Sequence, residues 1–212
     1  MSMKVESHGI SVKGTVHPKE DEIQVNDEKL LYAVADGVTL SSHGIGGVAS
    51  QLAIYYLNKL FNQNVKETLE KLNRELCQLR LKDLSIGETT LTAAHIRDYV
   101  VEIAHVGDSS AFVTTRYAIR KITKDDSFTF GLTQVIGIDS ARIHSYKEHL
   151  QREDYVILAT DGVTNVMRAQ EIFEVVKRFV EPKKICEAVL EKVNNTPKEY
   201  DDDKSIAIVR VL

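Results

Sequence analysis

The chain has 212 residues, a formal net charge of -4 at pH 7, 43% hydrophobic and 27% charged side chains. That balance fits one globular domain over residues 1–212 and excludes a disordered or low-complexity chain. No basic stripe interleaved with aromatics is present, which argues against nucleic acid as a ligand, and no run approaches the ~18 apolar residues of a membrane span. The N-terminal "MSMKVESHGI" lacks a signal-peptide core, and the two cysteines, Cys77 and Cys186, fall in helix-like apolar patterns. A cytoplasmic monomer with reduced thiols is the expectation, without a membrane or nucleic-acid partner.

In chain order, "ESHGISVKG", "EIQV" and "KLLYAVA" read as short strands, with a turn at Asn26 and Asp27. The segment "VASQLAIYYLNKLFN" then places Val48, Leu52, Tyr55 or Tyr56 and Leu60 at helical spacing. "VKETLEKLNRELCQLRLKDL" does the same with Leu69, Leu72, Leu76 and Leu79. "TTLTAAHI", "YVVEIAHV", "AFVTT" and "YAIRKIT" read as a meander of neighbouring antiparallel strands with turns at Arg97-Asp98, Gly107-Asp108 and Arg116. A strand in "YVILAT", helices in "RAQEIFEVVKRFV" and "KKICEAVLEKV", the second opened by Pro182, and a closing strand "SIAIVRV" complete the chain. Blocks of strands and blocks of helices without βαβ alternation predict an α+β fold: two antiparallel sheets stacked between helical layers, an α/β/β/α sandwich of about ten strands and four main helices.

One pattern occurs twice, "LLYAVADGV" and "YVILATDGV". Asp-Gly is foremost a hairpin-turn dipeptide, but a hairpin requires a second strand directly after it. Neither copy supplies one: Asp36 leads into "VTLSSHGIGG" and a helix, Asp161 into "VTNVMRAQE" and a helix. Both therefore read as carboxylates held at strand ends, each followed by a glycine that lets backbone approach a ligand. Asp108 in "AHVGDSSAF" and the triple aspartate of "KEYDDDKSIAIVRV" add acidic groups at two further strand ends. Convergent carboxylates repel one another unless hard cations lie between them, and an all-oxygen set favours magnesium, manganese or calcium over zinc. A pair of such ions roughly 3.5–4 Å apart lowers the pKa of a water and clamps a phosphate for in-line attack.

Glu20-Asp21, "ADGV" at Asp36, "GETTLTAA", "VGDSS" at Asp108, "ATDGV" at Asp161 and "DDKSIAIV" from Asp202 together resemble, in order and spacing, the metal-dependent protein phosphatases of type 2C, the PPM family. The resemblance covers nearly the whole chain. It implies a β-sandwich flanked by helices, two Mg²⁺ or Mn²⁺ ions with a third in some members, and hydrolysis of phosphoserine or phosphothreonine in a phosphorylated protein by metal-bound water. By this resemblance Asp36 bridges both ions and the Gly37 carbonyl joins the second. Asp161 and Asp202 complete the first; these three aspartates are the catalytic set. Asp108 belongs with a weaker third ion, and Glu20 and Asp21 hold metal-bound waters. Asp203 stands where the family has asparagine, so it either binds metal water or is a neutral change, and Asp201 is a solvated turn residue.

Three departures from the family qualify this. Val16 replaces a phosphate-gripping arginine, a contact worth about 1.5–3 kcal/mol, so His17, Lys13 or Lys19 would have to substitute. Val38 stands where eukaryotic members carry a histidine, leaving water or His43 to protonate the leaving group; His17 and His43 are the candidate substrate-binding side chains. Only "SFTF" joins "KITKDD" to "GLTQVIGI", where many bacterial members insert a mobile flap, so the cleft should be open, as in compact phosphatases of bacterial stress and sporulation signalling. Two other chemistries fail: Ser109 in "GDSS" lacks a histidine three residues after an aspartate, since Ala141 and Tyr146 precede His144 and His149. Val34 occupies the place of the nucleophilic aspartate in a haloacid-dehalogenase motif. His95 and His105 read as structural residues within strands. The alternative function is a catalytically weak or inactive member that binds phosphoproteins as a regulator.

Overall fold

The computed structural model describes residues 3–38, 44–128 and 131–212. In chain order the elements are β1 (Val5–Val12), β2 (Glu22–Asn26), β3 (Leu31–Ala35), β4 (Gly37–Val38), α1 (Gly46–Leu60), α2 (Val65–Lys82), β5 (Glu88–Thr89), β6 (Leu91–Arg97) and β7 (Val100–Val106). Then follow β8 (Ser110–Thr114), β9 (Ile119–Lys121), β10 (Ser127–Phe128), β11 (Gly131–Leu132), β12 (His144–His149), β13 (Tyr155–Ala159), α3 (Asp161–Thr164), α4 (Ala169–Val176), α5 (Pro182–Asn195) and β14 (Lys204–Val211). Two five-stranded antiparallel sheets, β1-β14-β13-β8-β9 and β12-β7-β6-β3-β2, carry the architecture.

Residues alternate across each strand, so each sheet offers one apolar face inward and one outward. Val34, Ile96, Ile103, Val156, Leu158 and Val209 meet between the sheets. On the outer face of one sheet Leu31, Ala33 and Ala93 pack under α1 and α2; on the other, Ile157, Ile206 and Ile208 pack under α5. The four expected layers are present, and each fully buried leucine or isoleucine contributes about 1.5–3 kcal/mol. The buried residues of α1 are Gly46, Gly47, Ala49, Ser50, Ala53 and Leu57, whereas Leu52, Tyr56 and Leu60 are half-buried and Tyr55 is exposed. The expected face is thus rotated: the small alanines let the helix lie close to the sheet, and the bulkier side chains flank that contact. In α2 the Asn64 side chain caps the helix by accepting from the Glu67 amide (3.0 Å), with Arg80 and Lys82 in the last turn where they oppose the helix dipole.

The expected meander breaks at one point. β6 and β7 form a hairpin whose turn residues Asp98 and Tyr99 both have positive φ, but β7 and β8 belong to different sheets. The chain changes sheet at Gly107, whose φ of +108° and contact with Thr90 leave no room for a side chain: a Cβ there would lie 2.6 Å from Thr90. This crossing brings Asp108 to the seam between the sheets.

The two Asp-Gly motifs share a different packing reason. A Cβ on Gly37 would lie 2.3 Å from the Gly46 carbonyl carbon, and one on Gly162 would lie 1.8 Å from the Asp203 carbonyl oxygen. The glycines admit other backbone segments of this chain, which press α1 and the start of β14 against the strand ends. Gly162→Ala is expected to destabilise the protein by about 3 kcal/mol or more, read as a lower urea midpoint at unchanged m-value, because the obstacle is backbone and not a mobile side chain.

Candidate metal centre

Asp36 follows the wholly buried β3 and is fixed by its own peptide: its amide donates to Thr90 Oγ1 (3.1 Å), and its carbonyl accepts from the Thr90 amide (2.8 Å) and Thr89 Oγ1 (2.8 Å). The Gly37 amide donates to the Glu20 carbonyl (3.2 Å). Asp161 opens α3 directly after β13, and its Oδ2 accepts from Asn165 Nδ2 (3.0 Å). Asp202 lies two residues before the start of β14; its Oδ1 accepts from the Asp203 amide (2.8 Å) and lies 2.7 Å from His17 Nε2. Asp21 Oδ2 accepts from Thr160 Oγ1 (2.8 Å), which in turn accepts from the Ser205 amide (3.0 Å).

Asp161, Asp202 and Asp21 each commit one oxygen to the protein. Asp161 Oδ1 and Asp21 Oδ1 are buried and without a hydrogen-bond partner among the described residues. A buried, unpaired carboxylate oxygen is costly unless a cation or water meets it. The electrostatics agree. Burial, then the charges of Asp21, Asp161, Asp202 and Asp108, hold the Asp36 carboxyl well above the ordinary range. Asp161 is raised by burial and by Asp202. Burial followed by Asp161 and Asp125 brings Asp108 up to about 7, and burial outweighs two hydroxyl hydrogen bonds to bring Asp21 up to about 7. Positive charge entering among these groups would lower them again and favour the carboxylate form.

The cleft they share has a volume of about 610 Å³ and is lined by Asp36, Asp108, Asp161, Asp202, His17 and Tyr200, with β11 and the residues after it along one side. Among the described residues no lysine or arginine lines it. Nor do three His, Cys, Asp or Glu side chains among them stand as a ready metal cage. The lining carboxylates are an all-oxygen donor set, which fits ions such as Mg²⁺ or Mn²⁺ that keep waters in their shell.

Asp36, Gly37, Asp108, Asp161, Asp202 and His17 are thus brought to one cleft. Glu20 and Asp21 lie beneath it, 5% and 1% exposed. His43 lies outside the described residues. Lys19 is engaged with Glu22 (3.8 Å), and Lys13, like Lys19, does not line the cleft. Asp203 has a further role that neither expectation included: its carboxylate accepts from the amides of Gly14 (2.7 Å), Glu20 (2.5 Å) and Asp21 (3.1 Å) and so clasps the β1–β2 loop. Asp201 is not simply solvated either, since it pairs with Lys204 (2.5 Å) and Lys198 (3.2 Å).

Four supporting groups escaped the sequence reading. Thr90 and Thr160 were inside the quoted motifs but read as strand residues. Asp126 receives the Gly107 amide (3.1 Å), donates its own amide to the Gly107 carbonyl (2.7 Å) and pairs with His144 (2.9 Å), which steadies the turn before Asp108. Arg80 spans Glu88 (2.8 Å) and the carbonyls of Ile86 (3.1 Å) and Gly137. Only proximity in sequence, Asp126 at the hairpin base, signalled any of these.

Residues 11–195 match the family model for protein phosphatase 2C. The chain is 24% identical to a serine/threonine phosphatase, stp, of Listeria monocytogenes, over 92% of this chain and 90% of that protein. Among solved structures it resembles the serine/threonine phosphatase Stp1 from Staphylococcus aureus, with a TM-score of 0.87 at 21% identity, covering 100% of this chain and 98% of that one. It also resembles the catalytic domain of the serine/threonine protein phosphatase PstP solved with two manganese ions, with a TM-score of 0.86 at 19% identity and 100% of both chains covered. With the carboxylate-lined cleft at the seam of its sandwich, the chain belongs to the protein phosphatase 2C family, whose members are protein serine/threonine phosphatases.

Proposed function

We propose that this protein removes phosphate from phosphoserine and phosphothreonine in proteins, with two Mn²⁺ or Mg²⁺ ions held by Asp36, the Gly37 carbonyl, Asp161 and Asp202. The observation that carries the reading is the set of mutually raised, partly unpaired carboxylates in a cleft without a lining lysine or arginine among the described residues. A phosphate dianion cannot enter such a cleft against its charge unless cations precede it. Divalent ions there supply Lewis-acid chemistry, lowering the pKa of a water and offsetting charge on the phosphoryl oxygens.

The chain's own residues supply aim. The peptide of Asp36 is held by Thr89 and Thr90, the Asp161 carboxylate by Asn165 and that of Asp21 by Thr160, which limits reorganisation when an ion enters. Asp108 offers a further carboxylate for a third ion, and Glu20 and Asp21 orient water from below. Gly131 and Leu132 of β11 form part of the wall.

The test is hydrolysis of a phosphothreonine peptide and of an aryl phosphate by the purified chain. Turnover is expected with Mn²⁺ or Mg²⁺, near-complete loss in EDTA and recovery on adding the ion back. Full turnover in EDTA, or tight Mn²⁺ binding without turnover of either substrate, would overturn the reading.

A further inference from the structure

We infer that His17 is a positioning residue for Asp202, selecting which carboxylate oxygen faces the metal, and does not grip the substrate phosphate. This rests on the metal reading above. Although His17 lines the cleft, its side chain is only 8% exposed and both ring nitrogens are engaged: Nε2 lies 2.7 Å from Asp202 Oδ1 and Nδ1 lies 2.7 Å from the Pro18 carbonyl. A carbonyl and a carboxylate oxygen both only accept, so each ring nitrogen carries a proton, Nδ1 directed at Pro18 and Nε2 at Asp202. Neither edge of the imidazole is left to donate to a phosphate oxygen.

The same contacts define Asp202. Its Oδ1 receives both His17 and the Asp203 amide, while Oδ2 has no hydrogen-bond partner among the described residues. With Oδ1 tethered from two directions, the carboxylate cannot rotate to bind through both oxygens and presents Oδ2 alone. His17 is held firmly enough to impose this. Before it, the Gly14 amide donates to Asp203 Oδ1 (2.7 Å) and the Thr15 amide to the Asp201 carbonyl (2.9 Å). After it, the Glu20 and Asp21 amides donate to Asp203 Oδ2. Gly14 permits this approach, because a Cβ there would lie 2.2 Å from the Asp201 carbonyl oxygen. The loop bearing His17 is thus stapled at both ends to the segment bearing Asp202. Outer hydrogen-bond partners of this kind set metal affinity by orienting the ligand.

The two roles separate experimentally. Mn²⁺ binding is measured by calorimetry for wild type, His17→Ala and His17→Gln, alongside inhibition by inorganic phosphate at saturating Mn²⁺. A positioning role predicts that His17→Ala weakens Mn²⁺ binding by about 10–100-fold. His17→Gln, whose amide can donate to Asp202, recovers most of that loss, and phosphate inhibition at saturating Mn²⁺ stays within about twofold, because His17 donates nothing to phosphate. Unchanged Mn²⁺ affinity in His17→Ala overturns the inference, whether phosphate inhibition weakens, as a phosphate grip requires, or only thermal stability falls, as simple packing requires. Should His17→Ala fail to fold, His17→Gln carries the test: near wild-type Mn²⁺ affinity with unchanged phosphate inhibition supports positioning, and weakened phosphate inhibition alone overturns it. Absence of Mn²⁺ binding in wild type would be seen first and would overturn the metal reading itself.

Discussion

Asp36→Asn is expected to reduce Mn²⁺-dependent turnover of an aryl phosphate by about 10³-fold or more, since Lewis-acid stabilisation worth several kcal/mol corresponds to that factor. Its fold should survive. Asparagine keeps the volume, and the backbone bonds from Thr90 and Thr89 that fix residue 36 do not involve its side chain. In EDTA the variant should melt above wild type, because burial and the charges of Asp21, Asp161, Asp202 and Asp108 all oppose a carboxylate at this position. The same substitution thus lowers activity and raises metal-free stability, a pair of signs that general damage to the core does not produce. Steady-state hydrolysis and differential scanning calorimetry check the two halves. Turnover within about tenfold of wild type would remove Asp36 from the centre of the reaction.

Much of this was readable in the amino-acid order, and the unread part has a common physical cause. The strand-end aspartates announced themselves because buried strands such as β3 and β13 are continuous apolar runs, and a charge at the end of one has few structural explanations. The role of the following glycines was only half legible. Asp-Gly shows that something approaches closely, but not that the approaching group is Gly46 in one case and Asp203 in the other. β12 was missed altogether: it is an edge strand with alternating half-buried and exposed residues, and "HSYKEH" carries no hydrophobic signal. The sheet change at Gly107 was invisible because a hairpin and a crossover begin with the same turn residues. Asp203 shows the limit most clearly. Its amide partners are 182 to 189 residues away in the chain, so a single carboxylate next to a metal ligand reads as another ligand until the loop it clasps is in place.

Metal-free protein is expected to lose thermal stability as the pH rises from 5 to 8, with a melting temperature lower by about 5 °C or more. The sign follows from the raised carboxyls. Asp21 and Asp108 are held up to about 7 in the fold, and Asp36 and Asp161 are also raised, against the ordinary carboxylate value of 3.8. The folded state therefore binds these protons more tightly than the unfolded chain does. The stability they contribute is fully present below the ordinary carboxylate range and is lost as pH climbs from about 4 through about 7. Opposing this, Glu67, Glu174 and Asp201 are lowered by lysine partners, Glu171 by the Arg168 amide and then Lys192, and Asp83 by Ser85, so their small contribution disappears in more acidic solution. Mn²⁺ should reverse the trend, since an ion competes with protons for the same oxygens. At about 100 times its dissociation constant it adds about 2.7 kcal/mol. Its effect on the melting temperature should therefore be large at pH 8 and small at pH 5. A metal-free melting temperature that is flat or rising between pH 5 and 8 would mean that these carboxylates are already neutralised by the protein, and the case for a cation between them would fail.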